Sequence, residues 1–236
     1  MITSTYIDHM GSDLSVVNAA RVSFGKKSEW ATESRYEVGS GGPIEEVCVV
    51  GKLKDSDAKL IRYLAEHKHF APFGHAFASF HVKAPIFVAR QLVKHKFMRW
   101  SEVSRRYVDD EPEFYSPEVW RGRSADKKQG SDGVVDVNDY VFNVDPEWGR
   151  DYKEGCLDVY VALLKGGVAP EQARMVLPQS TMTEWYWSGS LDAFADMCKL
   201  RCKEDTQYET RLVADQISEK MKQLFPVSWV ALVGEQ

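Results

Sequence analysis

The residue pattern changes at Pro85, and this change constrains the fold of the chain more than any other feature. Before Pro85, the segment HAFASFHVKAP alternates, so that Ala78, Phe80 and Val82 share one side, as in a half-buried strand. After it, IFVARQLVKH is apolar on nearly every side, which predicts a buried helix that begins at the proline. Such a helix needs a core around it. A chain of 236 residues, with 44% hydrophobic and 28% charged residues, is able to supply one.

Helical spacing of apolar residues recurs along the rest of the chain and predicts a mixed α and β protein in which helices dominate. Two polar stretches, near residues 25–47 and 122–146, interrupt this pattern, and both are predicted to be exposed loops. The predicted helices cover residues 12–24, ending before a turn at Gly25, residues 57–66 and 147–165, a short segment between Pro170 and Pro178, and one or two long helices over 191–225.

The whole chain, residues 1–236, is predicted to fold as a single domain that needs no disulfide or metal staple. Its four cysteines show no Cys-X-X-Cys spacing, which favours reduced thiols. No apolar run reaches the roughly 18 residues that span a bilayer, and the N-terminal segment lacks the basic flank and apolar stretch of a signal peptide. These features predict a cytoplasmic protein, in the host cytoplasm if the gene is viral, with no membrane partner.

Five cations and one acid crowd residues 94–106, KHKFMRWSEVSRR, although the chain as a whole carries a net charge of −5. A basic run of this kind is often a solvated helix end. Here, Glu102 and Ser104 interleave with the cations and supply polar partners, while Phe97 and Trp100 add flat apolar surface. This combination suits a planar, phosphorylated ligand. The acidic net charge argues against a polycation built for nucleic acid.

The segment FHVKAPIFVARQLVKHKFMRWSEVSRRY resembles the signature of the flavin-dependent thymidylate synthases. In that family, an Arg-His-Arg triplet is followed after seven residues by a serine, with a glutamate two residues before that serine and Arg-Tyr two and three residues after it. The similarity extends to AARVSF, to EHKHFAPFGHAFASFHVKAP and to QARMVLPQSTMTEWYWSGSLDAFADMCKLR, and covers most of the chain outside the two polar stretches. The matching residues in this chain are Lys94, His95 and Lys96 at the triplet, then Glu102, Ser104, Arg106 and Tyr107.

The resemblance implies an α/β fold of the α+β type, with a central, mainly antiparallel sheet flanked by long helices. It also implies an FAD-dependent methyltransferase that converts dUMP to dTMP, with methylenetetrahydrofolate as the carbon donor and NADPH as the reductant of the flavin. The protomers would form a homotetramer that binds FAD between subunits and shares active sites. Nucleic acid is not an expected partner.

The resemblance also assigns residues to the two ligands. The residues implied to hold dUMP are Gln91, Lys94, Glu102, Ser104, Arg105, Arg106, Arg174 and Arg201. The residues implied to hold FAD are Ser23, His69, Lys94, His95, Lys96, Glu102, Ser190 and Asp196. Arg201 is implied to be catalytic, because the matching arginine of the family polarises the uracil ring.

Arg201 makes physical sense in that role, because helical spacing places it on the same stripe as Phe194 and Cys198. A guanidinium on an apolar stripe needs an anionic or carbonyl partner, either a ligand or an internal salt bridge. If uracil is the partner, the guanidinium favours deprotonated N3 and makes C5 a better carbon nucleophile. No cysteine stands in a recognisable arrangement with a base, so a covalent cysteine adduct is not predicted.

The triplet of this chain is Lys-His-Lys, which keeps the charge of Arg-His-Arg but loses the planar, two-pronged donor of arginine. This departure leaves open a related flavin-dependent enzyme that modifies C5 of a pyrimidine nucleotide differently. An alternative of another class is a non-catalytic protein that binds a nucleotide or single-stranded nucleic acid, with Phe97 and Trp100 stacking on bases. No metal site is predicted, because no cysteine or carboxylate joins the histidines of residues 67–81 at ligand spacing.

Overall fold

The structure is a computed structural model that describes the backbone of residues 1–38, 44–125, 130–136 and 152–234, and the side chains of these residues except 33–38 and 44–50. The strands in these ranges are β1 (Thr3–Met10), β2 (Ala31–Val38), β3 (Ile44–Lys52), β4 (Phe77–Pro85), β5 (Met98–Glu102), β6 (Trp120–Arg123), β7 (Ser131–Val135) and β8 (Met182–Ser190). The helices are α1 (Asp13–Arg21), α2 (Asp55–Glu66), α3 (Ile86–Leu92), α4 (Tyr152–Lys165), α5 (Pro170–Ala173), α6 (Leu191–Arg201), α7 (Tyr208–Leu224) and α8 (Pro226–Val233). None of these helices combines the length and the apolar character that crossing a membrane requires.

The chain divides into two compact units. The first comprises Met1–Tyr6, Phe80–Ser188 and Lys199–Ile217, and the second comprises Ile7–Ser79, Gly189–Cys198 and Ser218–Gln236. The description of residues 1–236 as a single domain stays a prediction.

A four-stranded sheet with the order β1-β4-β8-β5 lies for most of its length in the first unit. The predicted alternation in β4 is confirmed, because Phe80 and Val82 are fully buried while His81 and Lys83 are partly exposed. Pro85 ends the strand in an extended conformation and is the N-cap residue of α3. The predicted helix after the proline is confirmed, and its burial holds for one side, where Val88, Ala89 and Leu92 are buried while Arg90 is exposed. It ends at Leu92, and Val93 alone separates it from the triplet at residues 94–96.

Helices α1, α2 and α8 pack together in the second unit. Val17 of α1, Ile61 of α2 and Trp229 of α8 are buried there. The predicted helix over residues 12–24 is confirmed as α1 followed by a turn of 3-10 helix, Val22–Phe24. It ends where predicted, because Gly25 adopts a left-handed φ of 62° that residues with a Cβ rarely adopt.

The two stretches predicted to be polar loops each contain a two-stranded antiparallel hairpin, which corrects that prediction. β2 pairs with β3 across the end of the stretch predicted over 25–47, and β6 pairs with β7 across the start of the stretch predicted over 122–146. A ladder of this kind uses backbone N–H and C=O groups that every non-proline residue carries, so polar side chains do not prevent it. Residues 39–43 of the first stretch, and residues 126–129 and 137–146 of the second, lie outside the described residues.

Mixed α and β structure with antiparallel pairing and long helices confirms the predicted fold class. The short helix between Pro170 and Pro178 is also confirmed, as α5 followed by a 3-10 turn, Arg174–Val176. In the C-terminal region, the long helices α6 and α7 agree with the apolar spacing. Within the predicted 147–165 helix, α4 begins at Tyr152 in the described part of the chain.

Candidate active site

The turn after α3 meets the C-terminal end of α6 at a pair of predicted site residues. The Nε of Arg201 donates a hydrogen bond to the Nε2 of His95, with 3.0 Å between the nitrogens. A second guanidinium nitrogen of Arg201, Nη2, donates to the main-chain oxygen of Gln91 over 3.5 Å. The structure therefore brings together three residues, Gln91, His95 and Arg201, that the resemblance assigns to ligand binding. All three lie in the first unit.

Arg201 is the last residue of α6 and is half-buried, while Phe194 and Cys198 on the same helix are fully buried. The predicted apolar stripe is therefore confirmed. Burial lowers the pKa of the Arg201 guanidinium, because desolvation disfavours its charged form. No carboxylate of the described residues forms an ion pair with Arg201. The described residues therefore do not form the internal salt bridge that was the alternative explanation for a charged residue on this stripe.

A second group of predicted residues gathers around Glu171. The Nε of Arg106 lies 3.5 Å from a carboxylate oxygen of Glu171, and the Nε of Arg174 donates to the main-chain oxygen of Glu171 over 3.2 Å. The hydroxyl oxygen of Ser104 accepts a bond from the backbone N–H of Arg106 over 3.3 Å. Ser104, Arg106 and Arg174 therefore form a local cationic group with one hydroxyl, which is a suitable donor set for a phosphate.

Arg105 does not share that arrangement. Its Nη1 donates to the main-chain oxygen of Asp110 over 2.7 Å and lies 3.4 Å from the Asp110 carboxylate. The side chain is only 17% exposed. Arg105 therefore closes the loop that follows β5, and its predicted contact with dUMP stays a prediction.

Lys94 and Lys96 are exposed, and neither ammonium group forms a hydrogen bond or an ion pair with the described residues. Phe97 follows them with a φ of 63° and a side chain that is 85% exposed. A left-handed backbone at an aromatic residue is strained by about 1–3 kcal/mol, and such strain concentrates at binding sites. The triplet thus presents two available cations beside an uncovered aromatic ring.

Glu102 lies at the end of β5, where both of its carboxylate oxygens are occupied. One accepts from the hydroxyl of Thr183 over 2.7 Å, and the other accepts from the indole Nε1 of Trp100 over 3.0 Å. The Trp100 ring is stacked on Trp185, with centroids 4.3 Å apart and planes inclined by 17°. One face of Trp100 is therefore covered by the protein, which weakens its predicted role as a stacking surface for bases.

The predicted flavin residues Ser23 and His69 line the same cavity in the second unit, with a volume of about 720 Å³. Apolar side chains make up much of its wall, with a hydroxyl from Ser23 and an imidazole from His69 among them. This lining fits part of a flat ring system that carries a few polar atoms. Ser190 is buried at the end of β8 and Asp196 is exposed on α6, and the described lining of the cavity includes neither residue.

Two of the histidines of residues 67–81 have hydrogen-bond or ion-pair partners in the protein. His81 Nε2 lies 3.1 Å from Glu184, and His67 Nδ1 lies 2.9 Å from the main-chain oxygen of Tyr63. Where the structure describes the chain, no three His, Cys, Asp or Glu side chains converge as metal ligands would.

Comparison with known proteins identifies the family. Residues 5–227 match the family model described as thymidylate synthase complementing protein, Thy1. The chain belongs to the flavin-dependent thymidylate synthase family. One relative is the flavin-dependent thymidylate synthase of Thermus thermophilus, 36% identical over 225 residues that cover 95% of this chain and 73% of the relative. Another is that of Kosmotoga olearia, 36% identical over 229 residues that cover 97% of this chain and 88% of the relative.

The fold of this family member is similar to a solved structure of the UMP/dUMP methylase PolB from Streptomyces cacaoi bound with 5-Br UMP. The TM-score is 0.75 at 30% sequence identity, covering 98% of this chain and 93% of the other. These matches confirm the resemblance found in the sequence.

Three residues that were not predicted from the sequence connect to the predicted site, two by direct contact with Gln91 and the third, Glu209, through its bond to Gln207. Gln207, Glu209 and Thr210 lie at the start of α7, and two of them bond to the side chain of Gln91. Polar residues at the start of a helix normally serve as caps. The sequence therefore contained no signal that would separate these residues from an ordinary helix terminus.

Proposed function

We propose that this protein catalyses the reductive methylation of dUMP. Its substrates are dUMP, methylenetetrahydrofolate, NADPH and a proton, and its products are dTMP, tetrahydrofolate and NADP⁺. Family membership supports this reaction class, and the name of PolB supports a pyrimidine nucleotide as substrate. The observation that carries the proposal is the half-buried Arg201 guanidinium, which lacks a carboxylate partner among the described residues.

Arg201 is the residue that stabilises charge on the uracil. Arginine carries five N–H donors, of which one is directed to His95 and one to Gln91, so donors remain for a ligand. When C5 of uracil forms its bond to the methylene carbon of the folate, negative charge on the pyrimidine ring favours the attack. A desolvated guanidinium stabilises that charge more strongly than water does. No nucleophile from the protein is needed.

His95 holds the guanidinium in place. Its Nε2 accepts a hydrogen bond from a group that only donates, so that nitrogen carries no proton. The imidazole is therefore neutral, with its proton on Nδ1. A neutral ring beside Arg201 adds no positive charge of its own, so the charge of this contact is that of the guanidinium.

Ser104, Arg106 and Arg174 are proposed to bind the phosphate of dUMP. In the structure, Arg106 and Arg174 contact Glu171, whose carboxylate is about half exposed. Exposed ion pairs of this kind contribute roughly 0–1 kcal/mol. A dianionic phosphate that accepts several charge-assisted hydrogen bonds competes well against one such carboxylate.

FAD is proposed to bind through the residues that the family resemblance assigns to it, namely Ser23, His69, Lys94, His95, Lys96, Glu102, Ser190 and Asp196. The apolar cavity lined by Ser23 and His69 fits a flat ring. Lys94 and Lys96 have no partner among the described residues and suit the acceptor oxygens of the cofactor. When bound and reduced, FAD supplies the hydride equivalents that the reaction requires.

We further propose that the protein assembles as a homotetramer in the cytoplasm. Phe24, Phe97 and Met175 are large apolar side chains that are 79%, 85% and 77% exposed, which is consistent with surfaces covered on assembly. Light scattering of the eluting protein should report four times the 26.9 kDa protomer mass.

A single assay tests the proposed function. Purified protein is loaded with FAD, reduced anaerobically with NADPH and mixed with methylenetetrahydrofolate and either dUMP or UMP, and the product is identified by mass spectrometry. Formation of dTMP from dUMP supports the proposal. Another C5 modification, or methylation of UMP alone, contradicts it. A protein that stays colourless with added FAD supports the non-catalytic binder instead.

A further inference from the structure

The carboxamide of Gln91 is held at both of its polar atoms by the start of α7. Its Nε2 donates a hydrogen bond to the Oε1 of Gln207, and its Oε1 accepts one from the hydroxyl of Thr210 over 3.2 Å. Thr210 is fully buried, so its hydroxyl is fixed by packing. All three residues belong to the first unit, although Gln91 and Gln207 lie 116 positions apart in the chain.

Glu209 determines which atoms of Gln207 and Gln91 donate and which accept. Its side chain is 5% exposed and pairs with Arg121, and the hydroxyl of Tyr115 donates to the same carboxylate over 3.2 Å. The other carboxylate oxygen accepts from the Nε2 of Gln207 over 3.2 Å. A carboxylate can only accept, so Gln207 must present its NH₂ group to Glu209 and its oxygen to Gln91.

The same logic then fixes the orientation of Gln91. Because the oxygen of Gln207 accepts, Gln91 must present an N–H to it, and the Gln91 oxygen then faces the Thr210 hydroxyl. A carboxamide has two N–H donors and two acceptor lone pairs. After these two bonds, one donor and one lone pair remain, in known positions. A flip of the amide would place the Gln91 oxygen against the Gln207 oxygen, two acceptors with no proton between them.

We propose that Gln207, Glu209 and Thr210 are positioning residues that fix the Gln91 carboxamide for nucleotide recognition. This inference rests on the proposed role of Gln91 in binding dUMP. Because the Gln91 carboxamide is already held in one orientation, it loses less side-chain entropy when the nucleotide binds than a free glutamine would. It also presents its remaining donor and acceptor in the correct order. Each of the three residues therefore acts on the nucleotide only through Gln91.

Isothermal titration of dUMP into the FAD-loaded protein tests this inference. Thr210→Val keeps the shape but removes the donor, and should weaken dUMP binding by about threefold to tenfold, the range for one neutral hydrogen bond. Thr210→Ser restores the hydroxyl and should bind like the wild type. Gln207→Ala provides a second variant at an exposed position and should weaken binding by a similar factor. Thermal melts of each variant report whether it is folded.

The decisive comparison uses Gln91→Ala as the background. There, Thr210→Val and Gln207→Ala should leave the dUMP dissociation constant unchanged, because the residue through which they act is gone. If either substitution weakens binding as much in this background as in the wild type, the positioning role is wrong, while the proposed function stands. If the wild-type protein binds no dUMP, the proposed function fails and this inference is overturned with it.

Discussion

The Nε of Arg201 lies 3.0 Å from the Nε2 of His95, and the two residues are 106 positions apart in the chain. This bond joins the histidine of the Lys-His-Lys triplet to the arginine proposed to stabilise charge on uracil. It defines the protonation of the imidazole and the placement of the guanidinium at once. The proposed chemistry therefore depends on the packing of the last turn of α6 against the turn after α3.

Substitution of Arg201 should remove most turnover. We expect Arg201→Ala to lower kcat by about 10² to 10³, the usual effect of deleting one donor for developing charge. Arg201→Lys should recover little, because an ammonium lacks the planar donor set. Steady-state formation of dTMP measures both variants, with Arg62→Ala, which removes an exposed arginine on α2, as the control. Near-wild-type kcat in Arg201→Ala would contradict the proposed mechanism.

Substitution at the cationic group around Glu171 should weaken dUMP binding. Ser104→Ala loses one hydroxyl and should raise the dUMP dissociation constant roughly twofold to tenfold. Arg174→Ala should have a larger effect that shrinks as salt is added, because part of it is electrostatic. Calorimetry at two salt concentrations separates the two cases. A dissociation constant that does not respond to Arg174→Ala would place the phosphate elsewhere.

Arginines at the triplet should strengthen FAD binding. Lys94→Arg with Lys96→Arg restores two-pronged donors at positions that have no partner among the described residues. We expect FAD to be retained roughly twofold to tenfold more tightly, as measured by ultrafiltration and flavin fluorescence. Weaker retention would mean that the lysines are adapted to a different arrangement of the cofactor.

The ionisation of Tyr115 should be visible at high pH. Burial, and secondarily the charge of Glu209, raises the pKa of the Tyr115 hydroxyl to about 12. Because the folded pKa lies above the unfolded value near 10, the stabilisation from this residue is complete below about pH 10 and is lost as the pH rises toward about 12. The ultraviolet difference between wild type and Tyr115→Phe should show phenolate absorbance only near pH 12. Phenolate absorbance already at pH 10 would contradict the raised pKa of the Tyr115 hydroxyl.

Asp13 should contribute to the stability of the second unit. Its two carboxylate oxygens accept hydrogen bonds from the backbone N–H groups of Val227 and Ser228, over 2.9 and 2.8 Å, in the first turn of α8. The side chain is buried, so Asp13→Ala should lower the free energy of unfolding by about 2 kcal/mol. Asp13→Asn keeps one acceptor and should lose less. Urea denaturation compares them, and equal loss in both variants would point to charge alone.

Local patterns were sufficient to predict the strand and helix on either side of Pro85, the cations that follow them and the family. Each of these depends on residues close together in the chain, where alternation, helical spacing and motif spacing are physically meaningful. The hairpins in the polar stretches were missed because backbone pairing does not require an apolar pattern.

Local patterns could not predict which partners the individual side chains contact in the folded protein. Lys94 and Arg105 are both cations of the basic segment 94–106. In the structure, however, Lys94 is exposed, while Arg105 donates a hydrogen bond to the main-chain oxygen of Asp110. The contacts of Gln91 with Gln207 and Thr210 are likewise invisible to any local pattern. Hydrogen bonds are directional and act over about 3 Å, so their partners are chosen by how distant segments pack.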